Sequence, residues 1–201
     1  IILIVMQQTL LIGIGVLGGT IREKKIFLKM NGRAKRKLGS VRIVIGKALS
    51  YLLIYFLNAF FTFVIFHYWF DLPDKANMLW VFLIFIPFIL SISFMGLAIS
   101  MLFKERVHAI LFLVFLSPVL VFVSGISWPA QAVPQGLQWF SFLFPATTAV
   151  KAYLKIRLCG AGSDAIKQEF LTLLLMTVGY FGLAVASYKI SINLFLKKLK
   201  S

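Results

Sequence analysis

Apolar residues fall in five long runs, at 1–21, 41–70, 78–103, 107–123 and 170–190, separated by short polar or basic segments. Several of these runs reach the ~20 residues that a helix needs to cross ~30 Å of hydrocarbon. The pattern predicts an all-α polytopic membrane protein with about five transmembrane helices. Pro87 in the third run and Pro118 in the fourth each remove a backbone hydrogen bond, and each predicts a kink that neighbouring helices must accommodate.

One region breaks the pattern. Residues 124–169 open with "SGISWPAQAVPQGLQWFSFLFPATT", an oily stretch interrupted by Pro129, Pro134 and Pro145. At 46 residues it is long for a loop and too short for two ordinary crossings. "QGLQWFSFLF" suffices for about half a membrane thickness as helix. After it, "ATTAVKAYLKIRL" predicts a second short helix, with Pro145 in its first turn and the glycines of "CGAG" as its stop. Val150, Leu154 and Leu158 are expected on its apolar face, with Lys151, Lys155 and Arg157 towards another, as in an interfacial amphipathic helix. Two readings fit the stretch: half-helices that dip into the membrane and return, or a loop packed across the top of the bundle.

Charge sets the orientation. The chain of 201 residues is 61% hydrophobic and 13% charged, far from the balance of a soluble domain. Its net charge of +15 marks a membrane side by its placement and does not call for nucleic acid. The segment 22–40, "REKKIFLKMNGRAKRKLGS", carries eight Lys/Arg against Glu23 alone. By the positive-inside rule it is a cytoplasmic loop, and Ile26, Phe27, Leu28 and Met30 suggest a short interfacial helix within it. "KERVH" at 104–108 and the tail 191–201 fall on the same side, whereas "DLPDKAN" at 71–77 and the region 124–169 fall outside. With Arg42, Lys47 and Lys189 at the inner ends of their spans, sixteen of the 21 Lys/Arg then lie inside. The chain begins "IILIVMQQTL", with no initiator Met or basic n-region, and five spans with a cytoplasmic C-terminus place its first residue outside, so a further span is expected upstream.

The chemistry-bearing residues are sparse. A lone Cys159 gives no disulfide framework, and His67 and His108 have no acid, Cys or second His at a metal-ligand spacing. No catalytic or metal constellation is found, and no Gly-x-x-x-x-Gly-Lys-Ser/Thr occurs, so the chain is not expected to be an enzyme. No acid lies mid-span, which counts against an ion-coupled carrier. Gln7, Gln8, Asn58, Ser91, Ser93, Thr172 and Thr177 are polar positions inside spans, suited to lining a path or to interhelical bonding. Gly15 and Gly19 stand four apart on one face, the small-xxx-small spacing that lets a helix approach closely, either within one bundle or between subunits.

"QQTLLIGIGVLGGTIREKK" and "SGISWPAQAVPQGLQWFSFLFPATTAVKAYLKIRLCGAG" resemble the second transmembrane helix, and the segment before the last helix, of the membrane subunits of type 2 ABC exporters, the ABC-2 permeases with the type V fold. Phe144 stands where many members carry Asn. The resemblance covers essentially the whole chain and is to the C-terminal transmembrane half of the efflux-type branch, helices two to six of six. It implies a permease that moves an apolar or amphipathic compound out of the cytoplasm or membrane, in a bacterial plasma membrane. It further implies a second permease subunit, identical or different, and separate cytoplasmic ABC ATPase subunits that hold ATP and Mg, with no cofactor in this chain. Arg22, Glu23, Lys24, Lys25 and Lys29 would couple to the ATPase. Ser124, Gly125, Trp128, Pro129, Pro134, Leu137, Phe140 and Pro145 would form an outer gate of re-entrant half-helices. The competing reading is a membrane scaffold or assembly protein that transports nothing.

Overall fold

A computed structural model describes residues 1–23, 39–69, 77–103, 105–123, 134–160 and 162–198. Within them every regular element is helical. In chain order these are α1 (Ile2–Glu23), α2 (Gly39–Phe60, continued by a π-helical stretch Phe61–Ile65 into Phe66–Trp69), α3 (Met78–Ser100), α4 (Arg106–Val123), α5 (Gln135–Ser141), α6 (Pro145–Cys159) and α7 (Ser163–Lys198). Ile2–Ile21, Gly39–Ile65, Met78–Ser100 and Asp164–Ile192 are each long and apolar enough to cross a membrane, and Arg106–Phe122 is a shorter apolar helix. The chain is an all-α polytopic membrane protein.

Helix α3 is the hub, packing against α1, α2, α6 and α7. Its composition explains the place: "MLWVFLIFIPFILSISFMGLAIS" is apolar on nearly every side, so it is stable only when surrounded. Asn77 starts it, its Oδ1 accepting the Leu79 N–H at 3.0 Å, and the Met101 N–H bonds back to the Ala98 carbonyl at its end. Pro87 sits inside this helix, and the Pro87 carbonyl accepts a hydrogen bond from Thr177 Oγ1 of α7 at 3.0 Å. A polar in-span residue thus bonds across the α3–α7 contact where the proline lies. Phe94 and Phe181 meet edge-on along the same contact.

Backbones approach most closely where α1 meets α3 and α4. A Cβ placed on Gly19 would lie 2.6 Å from the Cα of Arg106, and one on Gly18 2.6 Å from the Cβ of Ser100. Gly15 faces Leu113 and Ala109 of α4. Both glycines of the Gly15/Gly19 pair therefore meet α4 of the same chain. By contrast α2 and α7 turn much of their surface outward, with Leu53, Leu57, Leu175 and Val178 all well exposed, as suits helices that border hydrocarbon.

Candidate functional site

Residues 134–160 form a short helix, a turn and a longer helix. Pro134 caps α5, which lasts only seven residues before the turn at 142–144. Phe144 N-caps α6 and Pro145 fills its first position, where a missing N–H costs nothing. Gly160 ends it in the left-handed conformation (φ 61°, ψ 29°), its N–H bonded to the Ile156 carbonyl at 3.1 Å. Both signals are legible in the sequence.

The turn is held inside the bundle. Gln7 of α1, buried about 8 Å in from Ile2, accepts the Ala146 N–H on Oε1 at 2.9 Å. Tyr180, near the middle of α7, donates its hydroxyl proton to the Leu143 carbonyl. Thr147 Oγ1 donates to the Ser141 carbonyl at 2.9 Å and Ser141 Oγ to the Gln138 carbonyl at 2.7 Å, which closes the turn on itself. From there α6 runs antiparallel to α7, so that Lys155 Nζ reaches the Ala165 carbonyl at 3.2 Å and Glu169 Oε1 at 2.6 Å. The α5–α6 pair therefore has its turn beside Gln7 of α1 and the middle of α7, and its open end near the start of α7.

At that open end lies Arg157, only 4% exposed. Its Nη2 donates to the Phe63 carbonyl at 2.9 Å and approaches Met78 Sδ at 3.8 Å, and its guanidinium lies 5.4 Å from the centre of the Tyr153 ring. Phe63 belongs to the π-helical stretch of α2, where the widened turn presents its carbonyl to a donor from outside the helix. The Phe63 ring also meets Phe85 edge-on and Tyr153 at a tilt, joining α2, α3 and α6. One part of the expected facing of α6 is thereby corrected: Arg157, expected with Lys151 and Lys155, points into the bundle with Ala149, Val150, Tyr153 and Ile156, while Leu154 and Leu158 are 45% and 64% exposed. The reason is that α6 is wedged among α1, α3 and α7 instead of floating on an interface, so its outer surface can be leucine while a carbonyl, a thioether and an aromatic face replace water around the cation.

Gln7 Nε2, on the side chain that meets the turn, is buried with no hydrogen-bond partner among the described residues, as are both amide atoms of Gln8 on α1 and Ser93 Oγ on α3. Between the turn and α7 an open apolar groove is lined by Trp139, Phe142, Leu143, Met176, Tyr180 and Leu183. Among the described residues no three His, Cys, Asp or Glu side chains gather to hold a metal ion.

Of the residues proposed for the outer gate, Pro134, Leu137, Phe140 and Pro145 belong to this unit. Leu137 and Phe140 are exposed on α5, and Phe140 meets Phe144 edge-on. Ser124, Gly125, Trp128 and Pro129 lie outside the described residues. At the other end of the bundle, Arg22 and Glu23 form the end of α1, and Glu23 pairs with Arg106 of α4 at 3.7 Å. Lys24, Lys25 and Lys29 lie outside the described residues. Sequence reasoning marked Gln7 only as one of seven in-span polar positions and gave no place to Tyr180 or Phe63. An in-span glutamine is a usable signal for Gln7, whereas Phe63 acts through its backbone and leaves no trace in composition.

Comparison with known proteins places these features in a family. Residues 1–186 match the model of "ABC-2 family transporter protein". Over 121 residues the chain is 33% identical to "ABC transporter G family member 20" of Dictyostelium discoideum, a match covering 60% of this chain and 16% of that relative. The matched part is thus a small share of the relative's length.

Proposed function

The chain belongs to the ABC-2 family of transporter proteins, the membrane component of an ABC transporter, and from that premise we propose that it is the permease half of an ATP-driven exporter. In this reading it pairs with a second permease subunit and with two cytoplasmic ATPase subunits that bind ATP and Mg. It moves an apolar or amphipathic compound outward across a bacterial plasma membrane, with its C-terminus in the cytoplasm.

The observation that carries the reading is the α5–α6 pair with its turn bonded between α1 and α7, which we read as a half-crossing of the membrane. Irregular backbone at membrane depth is tolerated only where protein or a water-filled cavity satisfies it, and the turn at 142–144 is bonded by side chains of α1 and α7. Such a plug, anchored yet ending mid-depth, suits the outer end of a path. The basic segment after α1 supplies the other end: eight Lys/Arg at 22–40 adjoin a helix that reaches the plug without a break. A nucleotide-driven push there tilts α1 as a rod.

The test compares the full-length protein, expressed with its partner ATPase, with an Arg22→Ala, Lys24→Ala, Lys25→Ala variant. An exporter loses stimulated ATP hydrolysis while still reaching the membrane. A scaffold keeps all its measurable properties, and that result overturns the proposal.

A further inference from the structure

Helix α1 is continuous from Ile2 to Glu23, and it touches both ends of the proposed machine. Its inner end leads into the basic segment. On the same helix, Gln7 accepts the Ala146 N–H at 2.9 Å, and Ala146 lies in the first turn of α6, where free amide protons and the positive helix end gather. We propose that Gln7 is the latch of the outer gate: this single hydrogen bond ties the tip of the α5–α6 pair to the helix that the ATPase moves. The proposal deepens the exporter reading and rests on it.

Three observations carry it. Gln7 is fully buried, so water does not compete for its bond. The bond joins residues 139 apart in the chain and ties α1 directly to the first turn of α6. The Gln7 side chain also leaves its Nε2 buried without a partner among the described residues. Buried polar groups without partners disfavour the state that buries them. A tip that swings away from α1 admits water to Gln7 Nε2, so the bond from α1 to the tip is made against a polar penalty at the same side chain. That is the balance required of a gate that must open when α1 moves.

The remaining contacts of the pair are less suited to the role. Tyr180 binds the Leu143 carbonyl from α7, and Arg157 binds the open end to α2. Neither α2 nor α7 enters the basic segment at its C-terminal end as α1 does, and Arg157 lies at the mouth, far from the turn.

The experiment uses the full-length protein with its ATPase in sealed vesicles, in a Cys159→Ser background carrying Ser141→Cys. Ser141 is buried beside the turn, so a thiol there reports opening. The rate of modification by a small membrane-impermeant maleimide, added outside without nucleotide, is compared among variants. Gln7→Met keeps the shape and removes the acceptor; its rate is expected to rise about fivefold, the ratio set by losing one net hydrogen bond. Gln7→Asn keeps the amide but falls short of Ala146, and gives the same rise. Gln7→Glu keeps an acceptor oxygen at a helix N-terminus and labels no faster than the parent. Should Gln7→Met fail to reach the membrane, Gln7→Asn against Gln7→Glu carries the comparison.

Equal rates in the parent, Gln7→Met and Gln7→Asn overturn the latch, as does a Gln7→Glu rate equal to that of Gln7→Asn. ATP hydrolysis in the same vesicles separates the two claims. Coupled hydrolysis with flat labelling removes the latch and leaves the exporter, whereas absence of any bound ATPase in the parent removes the exporter reading while the labelling ratio still decides whether Gln7 holds the tip.

Discussion

Replacing three glycines of α1 by alanine one at a time tests how the bundle is assembled. Each change adds one methyl group and removes the conformational freedom of glycine, which by itself favours a helix by about 0.5–1 kcal/mol. What differs is what the methyl meets. At Gly13 there is nothing within 4 Å. At Gly15 the new atom lies 2.7 Å from Leu113 Cδ1, the end of a side chain that can rotate, and 3.5 Å from Ala109 Cβ. At Gly19 it lies 2.6 Å from Arg106 Cα and 2.7 Å from Arg106 N, backbone atoms that move only with the whole start of α4. Overpacking of that kind costs about 1–3 kcal/mol. Gly13→Ala is therefore expected to be stabilising by about 0.5–1 kcal/mol, Gly15→Ala near neutral, and Gly19→Ala destabilising by about 1–2 kcal/mol net. Thermal unfolding of the detergent-solubilised protein reads the series, with about 2–4 °C in Tm for each kcal/mol at this chain length. Gly19→Ala should melt well below the parent and Gly13→Ala at or above it. If Gly19→Ala melts with Gly13→Ala, the close α1–α4 contact is refuted, and with it the rod-like coupling of α1 to its neighbours.

Three further outcomes follow from the geometry. Arg157→Met removes the buried charge-assisted bond to the Phe63 carbonyl and should cost about 1–3 kcal/mol, read as a lowered Tm; Arg157→Lys should rescue it poorly, because an ammonium lacks the planar guanidinium that packs over Tyr153. Thr177→Val removes the bond to the Pro87 carbonyl and should cost about 0.6 kcal/mol, the usual worth of an interhelical bond in a membrane; a loss of several kcal/mol would mean that Thr177 does more than brace the proline. Cysteines at Leu137 and Phe140, on the short α5, should react poorly with bulky reagents added outside if α5 descends towards the membrane interior; free labelling of both would favour a loop lying over the bundle.

Much of this fold is written in the sequence because the bilayer makes simple demands. Long apolar runs must be helices, so the spans are readable from length alone. The ends of α6 are equally readable, since Pro145 and Gly160 act through backbone geometry that no neighbour changes. Its facing is not. Grouping Arg157 with Lys151 and Lys155 assumes that every cation seeks water, and a helix wedged among other helices changes that logic, with Arg157 inward beside a carbonyl and an aromatic ring. The π-helical stretch at Phe61–Ile65 escapes notice for a related reason: a widened turn is a backbone adjustment made to fit neighbours, and "FTFVI" has no residue that demands it. Gln7 is visible as an in-span amide, but its partner lies 139 residues away, beyond anything that local periodicity encodes. Spans are set locally, whereas the site is set by which spans meet.

The central claim, that this membrane protein works with an ATP-hydrolysing partner, is tested most directly by co-expressing the full-length protein with that ATPase and purifying the pair in mild detergent. The account predicts a stable complex whose ATP hydrolysis falls when the permease is omitted or carries Arg22→Ala, Lys24→Ala and Lys25→Ala. A full-length protein that reaches the membrane, folds, and never binds or stimulates an ATPase would contradict it.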